Sequence, residues 1–581
     1  MYSFYKGWLA AAIVATVVMS VGTANAQSGG TSSGISGTVL DPSGAVVASA
    51  TVEIHNAVSG FDRTTTTDSN GRFSFPTVPF NPYHMTVTAP GFTQTAQDVE
   101  IRSALGVNVK VNLTVASSSD TVTVEAGSDL VENDPIGHTD VDRGLFDKIP
   151  LESQSSSVSS LVTLASPGVA ADSNGLFHGM GDHASNSFSV DGQPITDQQS
   201  KVFSNQIPVD SIQSLEVIPG APPAEYGGKT SLVIVATTRS GQGVTTPHGS
   251  INTSYGSFGS SNVGFDLAYG GAKWGNFISA NGLNSGRFLD PPEFVVMHSR
   301  GNEENVFDRV DYQLSTADSI HLNLGFTRSW FQTPNSFDTQ LATAWSGSGG
   351  RDPNGNLVGP ADQRSQIKTF NIAPSWTRVL STNAVFTLGA FVRRDAYNYY
   401  PSKNPFADLG PIQQSTVAQN RTLANVGLRS DLSYVKGIHN VKVGATYQQT
   451  FLTENFSLGI VNPVLNSPCL DASGSPVAGF NDPTQCAGAG LQPNIASNPN
   501  AASPFTPLLG CYDLTRATPS GNDNCASSSS TLFPFRGHTD VKEAALYIQD
   551  QITKGNWSAN LGIRGDLYNG LVIARQAEPR V

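Results

Sequence analysis

Four cysteines are the residues of this 581-residue chain whose chemistry is easiest to name. They share a region rich in Gly, Pro, Ser and Asn and are Cys469, Cys486, Cys511 and Cys525. In an exported protein such cysteines form disulfides, and the sequence leaves their pairing open. The alternative is a metal site, but no CxxC spacing or nearby histidine pair accompanies them. We therefore predict disulfides, with no metal and no other cofactor.

The sequence patterns typical of catalysis are missing. HExxH, a phosphate-binding GxxxxGK[ST] loop and a dinucleotide-binding GxGxxG do not occur. Aspartates and glutamates are scattered, without the paired spacing that general acid and base catalysis would use. His178 and His183 fit solvated loop positions better than a metal or ligand pair. We predict that the protein is not an enzyme.

The overall composition favours a membrane β-protein. Charged residues make up 14% of the chain, well below the roughly 25% of soluble domains. The formal net charge is −13 and no Lys/Arg cluster is present, so a nucleic-acid partner is not expected. A transmembrane β-barrel has only moderate hydropathy, because every second residue faces lipid.

The N-terminus has the three parts of a secretory signal. Lys6 supplies positive charge, residues 8–21 are apolar, and Ala24-Asn25-Ala26 is a small-x-small cleavage site. The alternative, a membrane anchor, would need about 20 apolar residues. We predict a signal peptide over residues 1–26, followed by export.

Residues 33–116 alternate short β-patterns with turns at regular intervals, which predicts a sandwich. The elements Gly37-x-Val39-x-Asp41-x-x-Gly44, Asp68-x-x-Gly71-x-Phe73-x-Phe75 and Ala89-Pro90-Gly91-Phe92 resemble the carboxypeptidase regulatory-like (transthyretin-like) domain. This resemblance implies a non-catalytic accessory module, in a superfamily that includes carbohydrate binders. No aromatic row marks a sugar site, so we expect a periplasmic spacer.

Residues 129–243 resemble the plug domain of TonB-dependent outer-membrane receptors. The resemblance rests on an Asp-Gly turn after a strand, and on residues 211–241, SIQSLEVIPGAPPAEYGGKTSLVIVATTRSG. The plug-motif residues are Asp191, Gly192, Glu216, Val217, Gly220, Tyr226 and Gly227. The sequence departs from the family pattern at Pro219, Pro222, Pro223 and Glu225, and in the shortened run 227–229.

A β-forming segment precedes the plug, within residues 119–128. It resembles a TonB box and consists of Asp120, Thr121, Val122, Thr123, Val124, Glu125 and Ala126. Such a segment can add as a strand to a partner protein through backbone hydrogen bonds. The alternative is that it forms the last strand of the preceding domain.

From residue 247 to 581 the sequence alternates apolar and polar residues with period two, as a transmembrane β-barrel wall requires. We count roughly eleven strands on this template, with short connections alternating with long ones. The resemblance implies twenty-two strands, so we expect the N-terminal part of a barrel that would not close alone. The predicted fold is mostly β: a transthyretin-like sandwich, an α+β plug and a partial antiparallel barrel.

The resemblance implies a TonB-dependent receptor or transporter of the bacterial outer membrane, similar to Oar-like receptors, with its N-terminal domain in the periplasm. Its expected partners are the inner-membrane TonB complex, outer-membrane lipid and an external ligand that the sequence does not identify. An adhesion or surface-organising protein of Oar type, with possible carbohydrate binding, is the alternative. A secreted all-β binding protein is a third hypothesis.

Overall fold

The computed structural model is almost entirely β. It describes residues 32–56, 59, 61–116, 137–146, 157–171, 177–183, 186–195, 207–228, 231–271, 273–289, 299–332, 363–401, 415–460, 469–473, 475, 477, 480, 484–493, 533–555, 557–570 and 572–581. The predicted signal peptide (residues 1–26), residues 120–126, Cys511 and Cys525 lie outside these residues. Of the helices described, none is long and apolar enough to cross a membrane.

The N-terminal domain is a sandwich of short strands. They are β1 (Ser32–Leu40), β2 (Thr51–Asn56), β3 (Phe61–Thr66), β4 (Arg72–Pro79), β5 (Pro82–Thr88), β6 (Phe92–Thr93), β7 (Thr95–Glu100), β8 (Val107–Asn112) and β9 (Thr114–Val115). One sheet has the order β4-β1-β8 and the facing sheet the order β3-β2-β5-β7. Strict alternation along β5 buries Tyr83, Met85 and Val87 in the core between the sheets.

The predicted plug follows the sandwich, and its described residues form two sheets and two α-helices. Its elements are β10 (Thr139–Asp142), α1 (Arg143–Phe146), α2 (Ser157–Ala165), β11 (Val169–Ala171), β12 (Phe177–Gly179), β13 (Asp182–His183), β14 (Asn186–Val190), β15 (Gln193–Ile195), β16 (Ile212–Pro219) and β17 (Leu232–Thr238). The main sheet has the order β10-β16-β17-β14-β15, so β10 is an edge strand. Strand β17 is buried along its whole length, because both faces of this sheet are covered.

The rest of the described chain forms one large antiparallel sheet. Its strands are β18 (His248–Tyr255), β19 (Ser261–Gly271), β20 (Trp274–Ser285), β21 (Gly301–Gln313), β22 (Asp318–Gln332), β23 (Arg364–Ser381), β24 (Ala384–Tyr400), β25 (Ser415–Lys436), β26 (His439–Ile460), β29 (Phe533–Lys554), β30 (Trp557–Asn569) and β31 (Ile573–Arg580). A small unit lies between β26 and β29 and contains β27 (Cys469–Leu470), α3 (Thr484–Gly488) and β28 (Gln492–Pro493).

The described large sheet has twelve strands in sequence order, so the predicted count of about eleven was low by one. The prediction that the barrel is incomplete stays a prediction.

The large sheet has the polarity of a wall between lipid and water. Along β22, Ile320 and Phe326 are 40% and 43% exposed, whereas His321, Asn323 and Thr327 are 5%, 2% and 7% exposed. A soluble protein buries its apolar face, so this inverted arrangement suits an apolar surrounding outside and a polar interior. The predicted alternation is present on most strands. Other outward apolar residues are Val263, Phe265, Val310, Val392, Leu428, Leu432, Val443, Leu546, Ile548, Leu561, Ile563 and Leu567.

Connections at the two ends of the large sheet differ in length. Short turns link β19 to β20, β21 to β22, β23 to β24, β25 to β26 and β29 to β30. The opposite end carries the long connections, among them residues 333–363 and 461–532. We name the first the short-turn end and the second the long-loop end. Cys469 and Cys486 form a disulfide in the long connection after β26.

Candidate functional site

The Asp-Gly turn predicted from the sequence joins β14 to β15, and we call residues 191–192 the Asp191 turn. Val190 and Gln193 pair on either side of it. Asp191 and Gly192 have φ angles of 48° and 83°. Two consecutive positive φ angles are what a type I′ hairpin turn needs, and Asp followed by Gly adopts them readily. The turn points toward the polar face of the large sheet.

Asp191 is fixed by the plug and by the large sheet at once. Thr238 donates to its carboxylate from the backbone nitrogen (3.0 Å) and from the hydroxyl (2.6 Å). From the large sheet, Asn323 Nδ2 donates at 2.6 Å and Arg309 Nη1 at 3.3 Å. Arg309 also pairs with Asp311 on its own strand at 2.9 Å. The guanidinium therefore bridges one plug carboxylate and one carboxylate of the large sheet.

A second contact lies at residues 220–228, which connect β16 toward β17 and which we call the Glu225 turn. Glu225 accepts hydrogen bonds from Lys442 Nζ at 2.5 Å and from Arg429 Nη2 at 3.0 Å. Gln549 donates to the same carboxylate at 3.2 Å and accepts from the Glu225 backbone nitrogen at 2.9 Å. Glu225 is only 10% exposed. These partners lie on β25, β26 and β29, so one side chain ties the plug to three strands.

Arg429 connects the two turns directly. Its Nη1 donates to the backbone oxygen of Gly192 at 2.9 Å, while its Nη2 reaches Glu225. Its Nε donates to Asp431 at 2.7 Å on its own strand. Because a guanidinium is planar and always charged, it can hold three acceptors in a fixed geometry. The Asp191 turn and the Glu225 turn are thus parts of one contact surface.

Arg564 holds the backbone of the Glu225 turn. It donates to the carbonyl oxygens of Glu225 (3.1 Å) and Ala224 (3.4 Å), and to Asp566 at 2.9 Å. A Cβ atom on Gly227 would lie 2.0 Å from Arg564 Nε. Position 227 therefore requires glycine because the guanidinium passes against the backbone there.

Burial and charge act in opposite directions on the two plug carboxylates. Burial alone would raise the pKa of Asp191, but the charge of Arg309 and the hydrogen bonds from Thr238 outweigh it and hold the pKa below its ordinary value of 3.8. Burial likewise raises the pKa of Glu225, and the charges of Lys442 and Arg429 reverse this to give a pKa below 4.5. Both groups are therefore charged at neutral pH.

Tyr226 has a different environment from its neighbour Glu225. Its ring packs against Ile218, Val233 and Val235. Burial raises the pKa of the Tyr226 phenol well above its ordinary value of 10. The phenol therefore stays neutral, and the residue anchors the Glu225 turn to the plug sheet by apolar contact.

The other predicted plug-motif residues belong to the plug sheet. Val217 is fully buried and pairs with Ile234, and Glu216 is half-buried on the same strand, opposite Val235. Gly220 follows this strand and donates its backbone N–H to Ser231 O at 3.0 Å. The structure therefore brings Asp191, Gly192 and Gly227 to the large sheet, while the others shape the plug itself.

The basic residues of the large sheet that bind the plug were not predicted from the sequence. An Arg-x-Asp pattern, which was not noted from the sequence, recurs on four strands of the large sheet. The ion-paired sets are Arg309 with Asp311, Arg393 with Asp395, Arg429 with Asp431 and Arg564 with Asp566. Residues two apart on a strand share a face, so this spacing places both charges on the polar face. In a period-two region the pattern could have been recognised.

The geometry fits a binding and retention role. Charged and polar groups of the plug bind groups of the large sheet across most of its width, from Asp266 on β19, which pairs with Arg239 at 3.1 Å, to Arg564 on β30. The large sheet therefore wraps around the plug. Among the described residues, no cluster of three or more His, Cys, Asp or Glu residues is placed to hold a metal ion.

Two family models match the chain. Residues 34–114 match the carboxypeptidase regulatory-like domain, and residues 151–231 match the TonB-dependent receptor plug domain. The chain thus carries both domains, and the resemblance stated from its motifs is confirmed at the level of domains. No curated protein matches the sequence.

Solved structures share the fold at low sequence identity. The chain is similar to FpvA of P. aeruginosa bound to heterologous pyoverdines, with TM-score 0.50 and 12% identity over 81% of this chain and 58% of that chain. It is also similar to the siderophore receptor PiuA from Acinetobacter baumannii, with TM-score 0.46 and 14% identity over 77% of this chain and 61% of that one. The chain thus spans less than two thirds of the length of either structure.

Proposed function

We propose that this chain acts in a TonB-dependent receptor that imports an external ligand across a bacterial outer membrane. One observation carries the proposal: a plug domain lies against the polar face of a sheet whose other face is apolar and exposed. An apolar outer face needs lipid, and a polar inner face needs water or a plug. The role is transport rather than catalysis.

The energy would enter through residues 120–126, which lie outside the described residues and connect the sandwich to the plug. TonB would add to this segment by backbone pairing and pull on it. The first described plug strand after this segment is β10. Force would therefore reach the edge of the plug sheet first, and the ligand would enter from the long-loop end.

The test is growth of a strain that lacks the gene, on a panel of iron and carbon sources, with plasmid copies of the full chain. Iron chelates belong in the panel because FpvA, which shares the fold, is bound to pyoverdines. The key variant is Val122→Pro, which removes a backbone donor from the proposed coupling strand. The matched control is Val122→Thr, which keeps the donor and the β-branched side chain.

We expect at least one nutrient to require the chain, and Val122→Thr but not Val122→Pro to restore growth on it. Normal growth with Val122→Pro, at equal protein levels, would contradict coupling through this segment. Loss of surface adhesion without any nutrient requirement would instead support the adhesion alternative.

A further inference from the structure

The sandwich is docked on the short-turn end of the large sheet. Asn440, next to the turn between β25 and β26, donates from Nδ2 to the backbone oxygen of Arg102 at 2.6 Å. Arg102 Nη1 reaches back to the Gly437 oxygen of the same turn at 3.3 Å. Arg102 lies in the connection between β7 and β8, so this connection is held to the rim of the sheet by contacts in both directions.

The same connection reaches the plug contact surface. Ala104 is 7% exposed. It lines a cavity of about 40 Å³ together with Gly192, Arg429 and Lys442. The cavity lies beside the groups that hold the Asp191 turn and the Glu225 turn. The connection between β7 and β8 therefore reaches the contact surface between the plug and the large sheet through Ala104.

A separate sandwich residue binds the first strand of the plug. Asn81, between β4 and β5, is 6% exposed, and its Nδ2 donates to Asp140 Oδ2 at 2.5 Å. Asp140 lies on β10, which pairs with β16 over four residues. Asp142, two positions further on the same strand, lies within electrostatic range of Arg63 on β3. The carboxylate of Asp140 thus contacts the sandwich directly, whereas Asp142 accepts its hydrogen bonds from Gln213 (3.3 Å) and the Gly144 backbone (3.2 Å) inside the plug.

These contacts give β10 two supports of different origin. Its backbone is paired with β16 inside the plug, and the carboxylate of Asp140 accepts a hydrogen bond from Asn81 of the sandwich. An edge strand with four paired residues is a weak point of a sheet, because it can be removed without breaking the rest. It is also the strand that a pull on residues 120–126 would reach first.

We propose that the sandwich is a clamp that holds the edge strand β10 and closes the short-turn end of the plug, so that the plug moves only after the sandwich undocks. The partner surface is formed by Asp140 and Asp142 of the plug and by the turn at Gly437. The docking is a contact within the chain, and its gating role rests on the proposed function.

The test exchanges the two hydrogen-bonding groups and follows amide hydrogen exchange of the full chain in detergent micelles. Asn81→Asp places a carboxylate against the carboxylate of Asp140 and removes the donor. Adding Asp140→Asn restores the hydrogen bond with its roles exchanged, because the amide at position 140 now donates to the carboxylate at position 81. Asn108→Asp is the matched control, because Asn108 is exposed and donates to Ser36 within the sandwich at 3.1 Å.

We expect exchange at residues 139–142 to become about 10- to 100-fold faster with Asn81→Asp, because a hydrogen bond to a charged group is lost. The double variant should return most of this protection, and Asn108→Asp should leave it unchanged. Unchanged exchange at β10 in Asn81→Asp would overturn the proposal. The proposal would also be overturned if the single and double variants lost the same amount of protection at residues 139–142 while strand β2 stayed protected. None of these readouts depends on uptake, so a failure of the transport proposal would be recognised separately.

Discussion

Glu225 is the residue whose loss should loosen the plug most specifically. The substitution Glu225→Gln keeps the size of the side chain but removes its charge. It leaves Lys442 and Arg429, which are 15% and 14% exposed, beside a neutral amide. Arg429 keeps Asp431 at 2.7 Å. Among the described residues, Glu225 is the carboxylate that pairs with Lys442. The main effect is therefore an uncompensated ammonium at the plug surface.

The size of the effect follows from the burial of this group. Removing one partner of a buried ion pair costs about 3–5 kcal/mol. Since Asp431 still compensates Arg429, we take the lower end, about 3 kcal/mol. At about 1.4 kcal/mol for each factor of ten, local opening of the Glu225 turn should become about 100-fold more frequent.

The assay is amide hydrogen exchange of residues 220–228 in the full chain, with sandwich strand β5 as internal reference. Glu304→Gln is the control, because it removes the same charge from an ion pair with Arg328 in which Glu304 is 55% exposed. Exposed pairs of this kind contribute about 0–1 kcal/mol. Adding Lys442→Gln to Glu225→Gln should recover part of the lost protection, since the unpaired charge is removed.

The reasoning would be refuted by equal exchange at residues 220–228 in Glu225→Gln and Glu304→Gln. It would also be refuted if adding Lys442→Gln to Glu225→Gln lowered the protection of residues 220–228 by as much as Lys442→Gln lowers it alone. Loss of protection in β5 as well would indicate general unfolding, and the comparison would then be repeated with Glu225→Asp, which keeps the charge and shortens the side chain.

Three further predictions concern pH, packing and lipid. Because the pKa values of folded Asp191 and Glu225 lie below 3.8 and 4.5, their stabilising contribution is present above about pH 4.5 and is lost as the pH falls through the lowered values. The urea midpoint of the unsubstituted protein in micelles should therefore fall below about pH 4. The fall should be smaller in Glu225→Gln, which lacks one of the two carboxylates. An equal fall in the two proteins would contradict this prediction. Gly227→Ala should lower the free energy of unfolding by about 1–3 kcal/mol, because the added Cβ would displace Arg564, and the urea midpoint should fall accordingly. Gly282→Ala, with open space around its Cβ, is the control and should change little. Ile548→Arg, at an outward position that is 47% exposed, should cost about 2–4 kcal/mol if it faces lipid. The amount of folded chain in outer-membrane fractions measures this, and normal yield would argue against lipid at this face.

The alternation of the large sheet could be predicted because it is a local property. A strand such as β22 shows apolar residues at every second position, and no knowledge of its neighbours is needed to assign its faces. The Asp191 turn was equally predictable, since Asp-Gly after a strand favours one backbone geometry.

The contact surface between plug and sheet could not be predicted in the same way. Arg429 and Glu225 are 204 residues apart, and their meeting depends on how the sheet curves around the plug. Glu225 was noted only as a departure from the family pattern, although it makes the largest number of ionic contacts in the Glu225 turn. The Arg-x-Asp spacing was visible, but its meaning requires knowing which face of the strand is inside. Of the cysteines, only the pairing of Cys469 with Cys486 is now assigned.

The Arg-x-Asp spacing has a consequence for the order in which this protein assembles. Arg309, Arg429 and Arg564 each carry a neutralising aspartate on their own strand. Each of these three guanidinium groups can therefore enter a membrane already paired with a carboxylate of its own strand. Among the described residues, Asp191 and Glu225 take their cations from the large sheet and not from the plug. We expect the sheet to insert first with these arginines already paired, and the plug to neutralise Lys442 and to acquire its final shape only by binding inside the sheet.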